Sequence, residues 1–121
     1  MKYKGSLVVT IVYENFSLSR EDIRKALKQN VESCINRGLL TEGLDSEVES
    51  WSSSVEFNPE NHKMRAVLHV SALYEDNGES REAIRSTLSG LADYMASRGY
   101  LSTDEETVDD WSSTVEVEAA F

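Results

Sequence analysis

Two segments of the chain alternate large apolar residues with smaller ones over a period of two. The first covers residues 7–13 and the second covers residues 68–74. This period is typical of β-strands. The residues between the large ones are also mostly apolar, so both faces of these strands resemble the faces of central rather than edge strands. The pattern predicts that each of the two segments is a central strand.

Each of these strands is followed by a segment with helical periodicity. Ser19 and Ser80 stand at the start of the two segments and predict N-caps, because a serine hydroxyl accepts from a free N–H group at the start of a helix. Gly38 and Gly99 follow the segments and predict the left-handed residue that ends many helices. The predicted buried stripes recur every three or four residues and consist of Ile23, Leu27, Val31 and Cys34 in the first helix and Ile84, Leu88, Leu91, Ala92 and Met95 in the second.

A third pattern, apolar on one face and polar on the other, closes each half of the chain. It covers residues 51–57 and 111–117. Such alternation is typical of an edge strand with one face on the core and one in water. Trp51 and Trp111 lie on the apolar side, so we expect both to anchor the core.

The three patterns occur twice because the chain is a tandem repeat. With a shift of 61 residues, SREDIRKAL from Ser19 matches SREAIRSTL from Ser80. With a shift of 60, VESWSSSVE from Val48 matches VDDWSSTVE from Val108. A chain of 121 residues has room for one hydrophobic core. We therefore predict a single domain built from repeats 1–58 and 62–121, joined by a turn at 59–61 that contains Pro59.

Two interlocking right-handed β-α-β units of this kind form a ferredoxin-like α/β plait of the α+β class, in the order βαββαβ. Both helices then cover one face of a four-stranded sheet and leave the other face open. Two alternating sets of central-strand residues compete for this open face. The set with smaller and less uniform side chains is the predicted one, and it consists of Val8, Thr10, Val12, Val67, His69, Ser71 and Leu73.

Four apolar residues of the predicted open face, Val8, Val12, Val67 and Leu73, are expected to cluster. An exposed apolar cluster marks a self-association surface or a site for another protein. A third interpretation is that the C-terminal residues EAAF of the chain itself cover the patch.

The charge of the chain narrows the classes of partner. Its 22 acidic and 12 basic side chains give a net charge of −10. This charge disfavours direct binding to nucleic acid, which needs Lys and Arg to replace phosphate counterions, and it favours a basic partner. Two segments contain acids but neither Lys nor Arg, with six acids in residues 38–62 and seven in residues 99–121. We expect them to form two acidic poles at opposite ends of the sheet, separate from the open face, and solvated loops are their simpler interpretation.

The sequence predicts a cytoplasmic protein with no membrane partner. It contains no run of eighteen apolar residues and no signal-peptide pattern. The single cysteine, Cys34, fits a reducing compartment. Its place in a buried helical stripe predicts a structural thiol rather than a nucleophile.

No motif for catalysis, a cofactor or a metal ion is evident. The segment DEETVDD at 104–110 lacks the ligand spacing and the glycine of a calcium loop. His69 lies in the middle of a strand, without an identifiable serine or cysteine partner for acid–base chemistry. Tyr13 and Tyr74 lack the basic, aromatic-rich surroundings of an RNA-recognition plait. We therefore predict a protein that is not an enzyme and binds no cofactor.

In size, charge and compact α/β design the chain resembles the small acidic proteins of phages and mobile elements, including certain anti-CRISPR and anti-restriction inhibitors. This resemblance covers the chain in outline and rests on no family motif. It implies a non-enzymatic inhibitor whose carboxylates occupy a basic nucleic-acid-binding surface of another protein. The implied contact residues are Asp104, Glu105, Glu106, Asp109, Asp110, Glu116 and Glu118.

The alternative hypothesis is a self-associating structural or regulatory module. Two plaits would stack their open faces through Val8, Val12, Val67 and Leu73 and form a homodimer, with a small ligand enclosed between them in one version of the hypothesis. Because the contact is apolar, such a dimer is expected to be insensitive to salt.

Overall fold

The computed structural model of the chain describes residues 2–13, 20–60, 63–75, 78, 80–102 and 108–120. Its elements are β1 (Lys2–Tyr13), α1 (Arg20–Asn36), β2 (Val48–Glu60), β3 (Lys63–Tyr74), α2 (Arg81–Ser97) and β4 (Val108–Ala120). The strands form one antiparallel sheet in the order β2-β3-β1-β4. The fold is the predicted ferredoxin-like plait, with the opening strands in the centre and the closing strands at the edges.

The strand β2 extends farther than its sequence pattern indicates. It continues through Pro59 to Glu60, and β3 begins at Lys63, so the end of β2 overlaps the turn predicted at 59–61. A proline is tolerated at an edge because the outer side of an edge strand needs no N–H donor for the ladder. Residues 61 and 62 lie outside the described residues.

The core lies between the helices and one face of the sheet. Leu7, Val9 and Ile11 of β1 are fully buried, and so is Leu68 of β3. They pack against the buried stripes of both helices, whose members are the nine residues predicted from helical periodicity. The residues between them in β1 and β3 are only half-buried. The prediction of which face meets the helices is therefore confirmed.

The helix ends follow the sequence signals where they are described. The Ser80 hydroxyl accepts a hydrogen bond from the Ala83 N–H at 3.1 Å, which confirms this N-cap. Ser19 lies outside the described residues. Gly38 and Gly99 adopt φ angles of 86° and 75°, in the left-handed region that a glycine enters without strain. Each helix contains 17 residues, and in the described part of the chain none is long and apolar enough to cross a membrane.

Two buried tyrosines tie each repeat to the other. The Tyr13 hydroxyl donates to the Leu101 carbonyl at 2.8 Å, and the Tyr74 hydroxyl donates to the Leu40 carbonyl at 2.7 Å. The shift of 61 residues relates both the two donors and the two acceptors, so these bonds are equivalent under the pseudo-twofold symmetry of the duplication. Each bond joins the end of one repeat's central strand to the turn after the other repeat's helix. The repeats are therefore interlocked in one core.

Gly5 allows α2 to approach β1 closely. A Cβ atom at this position would lie 2.6 Å from Leu88 Cδ1 and 3.3 Å from Tyr74 Cε2. Contacts of 2.6 Å are far inside van der Waals distance, so a larger side chain would push the helix or the tyrosine away. The equivalent position in the second repeat is Ala66, which shows that the two repeats pack their helices differently at this point.

The prediction that both tryptophans anchor the core is wrong for Trp51. Its side chain is 37% exposed, and it is the one exposed large hydrophobic residue in the described part of the chain. Trp111 is partly buried against the core. Helix α1 covers the other half of β2, where Arg24 lies 5.3 Å from the centroid of the Phe57 ring and donates to the Val55 carbonyl. Trp51 lies on the same edge strand, outside the half that α1 covers. Alternation therefore predicted its face correctly but not its burial.

Candidate functional site

The face of the sheet opposite the helices, here called the open face, has no protein layer over it within the described residues. Directly opposed residues of antiparallel strands lie on the same face, so the register defines its members. They are Ser50, Ser52, Ser54, Glu56 and Asn58 of β2, Arg65, Val67, His69, Ser71 and Leu73 of β3, Lys4, Ser6, Val8, Thr10 and Val12 of β1, and Asp110, Ser112, Thr114, Glu116 and Glu118 of β4. Hydroxyl-bearing residues are the most common type on this surface.

Three of the four apolar residues predicted to cluster are neighbours on the open face. Thr10 pairs with Val67, which places Val67 diagonally next to both Val8 and Val12. Leu73 pairs with Lys4 and is separated from Val8 by the row that contains Ser6 and Ser71. The apolar centre of the open face is therefore a trio of valines, and Leu73 is a separate residue near one end.

The described acidic residues of the predicted partner site all lie on β4. Asp109, Asp110, Glu116 and Glu118 are exposed, and the other three predicted contacts, Asp104, Glu105 and Glu106, lie outside the described residues. The Asp110 carboxylate accepts a hydrogen bond from the Trp111 N–H at 2.9 Å. The chain thus brings four of the seven predicted carboxylates together on one edge strand.

The acidic strand and the open face are one continuous surface. Asp110 pairs with Val12, Glu116 pairs with Ser6, and Glu118 pairs with Lys4. Three carboxylates therefore form one margin of the open face, with the valines beside them. The expectation that the acidic poles are separate from the open face is wrong for these residues, because the β-strand period of two places them on the side away from the helices.

Charge is divided unequally between the helices and the rest of the molecule. The helices with the residue after each, 20–37 and 81–98, hold eight basic and five acidic side chains. The remainder of the chain holds four basic and seventeen acidic side chains, a net charge of −13. The strand β4 contains four of these acids and neither Lys nor Arg. The negative charge is therefore carried outside the helices, and sequence runs alone did not reveal this separation.

His69 lies in the middle row of the open face, between Ser54 of β2 and Val8 of β1. Its Nε2 atom is 3.8 Å from Glu56 Oε2, too far for a hydrogen bond, and it has no hydrogen-bond partner among the described residues. A serine nucleophile activated by a histidine needs a hydrogen bond between the two side chains. Within the described residues, no serine makes such a bond to His69 Nε2.

The described residues form neither a metal site nor a reactive thiol. No group of three or more His, Cys, Asp or Glu side chains is placed to hold a metal ion among them. Cys34 is buried in the core, where burial raises the pKa of its thiol. A buried thiol with a raised pKa is a poor nucleophile, because only the thiolate reacts.

Comparison with known proteins adds structural likenesses at low identity. No family model matches the chain, and no curated protein matches it. The de novo designed protein Foldit4 is 11% identical with a TM-score of 0.44, and the match covers 100% of both chains. The de novo designed protein Ferredog-Diesel is 12% identical with a TM-score of 0.29, covering 94% of this chain and 84% of that one. A phage SAM lyase in its apo state is 15% identical with a TM-score of 0.35, covering 93% and 89%.

Proposed function

We propose that this chain is a non-catalytic binding protein that docks its acidic edge strand, β4, on a basic surface of another protein in the cytoplasm. The observation that carries the proposal is the concentration of charge on this strand. Asp109, Asp110, Glu116 and Glu118 are all exposed, and β4 contains no basic residue. A surface of one sign raises the rate of encounter with a surface of the opposite sign and disfavours wrong partners.

The arrangement of the carboxylates supports a partner that ordinarily binds nucleic acid. Residues in a strand rise about 3.4 Å each, so Glu116 and Glu118 project on the same side about 7 Å apart. Together with Asp110 they form a line of negative groups along an exposed edge. Arginines and lysines that bind phosphates bind such carboxylates with the same charge-assisted hydrogen bonds. In this proposal, β4 occupies the basic nucleic-acid-binding groove of another protein and inhibits that protein.

The experiment is capture of partners by the immobilised chain at low salt, with release first by salt and then, separately, by double-stranded DNA or RNA. The matched variant changes Asp109→Asn, Asp110→Asn, Glu116→Gln and Glu118→Gln. An asparagine at 110 keeps an oxygen that can accept from the Trp111 N–H, so the backbone of β4 is left in place. We expect the variant to lose the captured protein, because the amides keep the shape and remove the charge.

A second variant controls for net charge. Glu32→Gln, Glu42→Gln, Glu47→Gln and Asp93→Asn remove four exposed carboxylates from elsewhere and change the net charge by the same amount. This control should capture the partner as well as the unmodified chain does. Equal loss in both variants, or no protein captured by the unmodified chain at any salt concentration, would overturn the proposal. Release by salt but not by nucleic acid would keep the basic partner and overturn the inhibitor mechanism.

A further inference from the structure

We propose that two copies of this chain associate through their open faces as an isologous dimer whose twofold axis runs parallel to the strands. The open face is the surface of the sheet opposite the helices, defined above by its strand register. Its margin on β4 carries Asp110, Glu116 and Glu118, so the dimer and the basic partner of the proposed function would compete for these carboxylates.

The open face has the area that a stable dimer needs. Four strands about 4.8 Å apart, with about 6.8 Å between successive residues on one face, give an area of about 650 Å² over five rows. Two copies would bury about 1,300 Å² in total, within the range of specific protein–protein interfaces. One second copy of the chain would therefore cover the whole open face.

The centre of the open face permits close approach of a second sheet. Its middle rows contain Ser6, Val8 and Thr10 of β1 beside Val67, His69 and Ser71 of β3. Five of these six side chains are short, and an axis parallel to the strands places His69 opposite the short Val8 of the partner subunit, so two such faces can reach the spacing of about 10 Å at which sheets pack. The valine trio then loses its contact with water, and the hydroxyl groups around it can pair across the interface.

The charges select the direction of the twofold axis. Both Lys4 and Arg65 lie on the central strands, whereas the acidic residues lie on the edge strands. An axis in the plane of the sheet and perpendicular to the strands would stack β4 on β4 of the partner subunit and place Glu118 opposite Asp110 of the partner subunit at both ends of the strand. An axis parallel to the strands stacks β4 on β2, whose open-face residues are three serines, Asn58 and a single acid, Glu56. Like charges at close range are costly, so the parallel axis is the favoured one.

The first experiment measures mass by sedimentation equilibrium over a range of concentrations. The monomer mass is 13.6 kDa, and we expect the chain to approach twice this value and to keep it when the salt concentration is raised. Val8→Asp should reduce the mass to that of the monomer, because it places a charge in the apolar centre. Ser33→Asp adds the same charge on the exposed surface of α1 and should leave the dimer intact. Leu73→Asp, outside the valine trio, should weaken the dimer less than Val8→Asp does.

A second substitution guards against unfolding of the Val8 variant. Ser6→Arg keeps the helix-facing core and adds a bulky side chain to the open face, so it should break the dimer while the circular dichroism spectrum and Tm stay near those of the unmodified chain. A dimer that persists in a folded Val8→Asp or Ser6→Arg variant would overturn the proposal. An unmodified chain that stays monomeric at all concentrations would also overturn it and would leave the open face to a different occupant.

The second experiment tests the axis by cross-linking. Ser54 and Thr114 lie in the middle row of the open face, on opposite edge strands. Ser54→Cys and Thr114→Cys are made in separate chains and treated with a bis-maleimide whose spacer is about 10 Å, the distance between packed sheets. Cys34 is buried and does not compete. We expect a cross-linked dimer when the two variants are mixed, and a cross-link in the Thr114 variant alone would overturn the parallel axis.

The two proposals fail separately. Neutralising the four carboxylates of β4 should abolish capture of a basic partner and leave the dimer mass unchanged. Val8→Asp should abolish the dimer and leave Asp110, Glu116 and Glu118 free to capture the basic partner.

Discussion

The two edge strands of the sheet have matching sequences and different surfaces. VESWSSSVE of β2 and VDDWSSTVE of β4 align residue by residue, with six of the nine residues identical. On the open face β2 presents three serines and one carboxylate, whereas β4 presents three carboxylates. On the other face, Trp51 is exposed while Trp111 packs against the core. Equivalent positions on the two edge strands thus differ in side-chain charge and in burial.

The buried parts of the two repeats differ less than these edges do. Tyr13 and Tyr74 make equivalent hydrogen bonds, and Gly38 and Gly99 end equivalent helices with equivalent backbone conformations. Each tyrosine donates its hydrogen bond to the other repeat, so a change at one tyrosine would affect both halves of the core. The edges carry no such constraint. Positions that hold the plait together are thus distinct from positions available for binding.

Gly5→Val should have the largest effect on stability. The equivalent position, Ala66, accommodates a Cβ atom, but at Gly5 the same atom would lie 2.6 Å from Leu88 Cδ1. Valine adds two more methyl groups beneath α2, and overpacking of this kind lowers the free energy of unfolding by about 3 kcal/mol. Urea denaturation measures the change.

Gly5→Ala is the graded control for that substitution. Leu88 Cδ1 is the end of a flexible side chain that can move out of the 2.6 Å contact, so alanine should cost about 1 kcal/mol. A Gly5→Val variant as stable as the unmodified chain would show that α2 does not pack on β1 at this distance.

Tyr13→Phe and Tyr74→Phe should each lower the free energy of unfolding by about 2 kcal/mol. Removal of either hydroxyl leaves a buried carbonyl, of Leu101 or of Leu40, without its hydrogen-bond donor. The two bonds lie at opposite ends of the sheet, so their costs should be equal and should add in the double variant. Denaturation of the two single variants and the double variant measures this. Strongly unequal losses in the two single variants would mean that the two symmetry-related hydrogen bonds do not contribute equally to stability.

Tyr74 also predicts how stability depends on pH. Burial raises the pKa of Tyr74 above its ordinary value of 10.0. Above that pH the unfolded chain loses the phenol proton and the folded chain keeps it. The contribution of the buried phenol to the free energy of unfolding is therefore fully present below pH 10 and falls as the pH rises further. Tyr74→Phe should show a shallower fall, measured by denaturation on both sides of pH 10. A fall of equal slope in both proteins would contradict the assignment to this residue.

The sequence supports the fold and the membership of the open face, but it does not supply distances between repeats. Alternation in residues 7–13 and 68–74 assigns Val8 and Val67 to one face correctly, because period and polarity are local properties. The close approach at Gly5 depends on Leu88, which is far away in the chain. The hydrogen bonds of Tyr13 and Tyr74 also join residues that are far apart in the chain, so the sequence does not predict them, although it shows the match of the two tyrosines across the repeat and their position at strand ends.

The candidate site shows a similar division. Runs of acids identified Glu116 and Glu118, but only the register places them beside Ser6 and Lys4 on the open face. The contiguity of Val8, Val12 and Val67, and the isolation of Leu73, also depend on register. A shift of one residue in the pairing would place every member of a strand on the other face, and sequence alone does not determine that pairing.

Ser80→Ala should lower the free energy of unfolding by about 1 kcal/mol. The hydroxyl of Ser80 accepts from the Ala83 N–H at the start of α2, and alanine leaves that donor without its partner. Ser80→Asp is the matched control, because a carboxylate can accept the same bond and suits the positive end of the helix dipole. Thermal denaturation should place the aspartate variant near the unmodified protein. Equal losses in the two variants would show that the cap does not stabilise α2.

Gly90→Ala should have the smallest effect, and it should be stabilising. The first repeat has Gln29 at this position in α1, whereas Gly90 lies exposed inside α2, and apart from its chain neighbours and the backbone of its own helix no described atom lies within 4 Å of the place a Cβ would occupy. Glycine within a helix loses more conformational entropy on folding than alanine does, so alanine should raise the free energy of unfolding by about 0.8 kcal/mol. Gly38→Ala is the matched control, since a Cβ there also meets nothing within 4 Å but the residue has a φ of +86°. That substitution should destabilise by about 1 kcal/mol. The same chemical change thus gives opposite signs at two open positions, and a loss of stability at both would show that backbone conformation is not what distinguishes them.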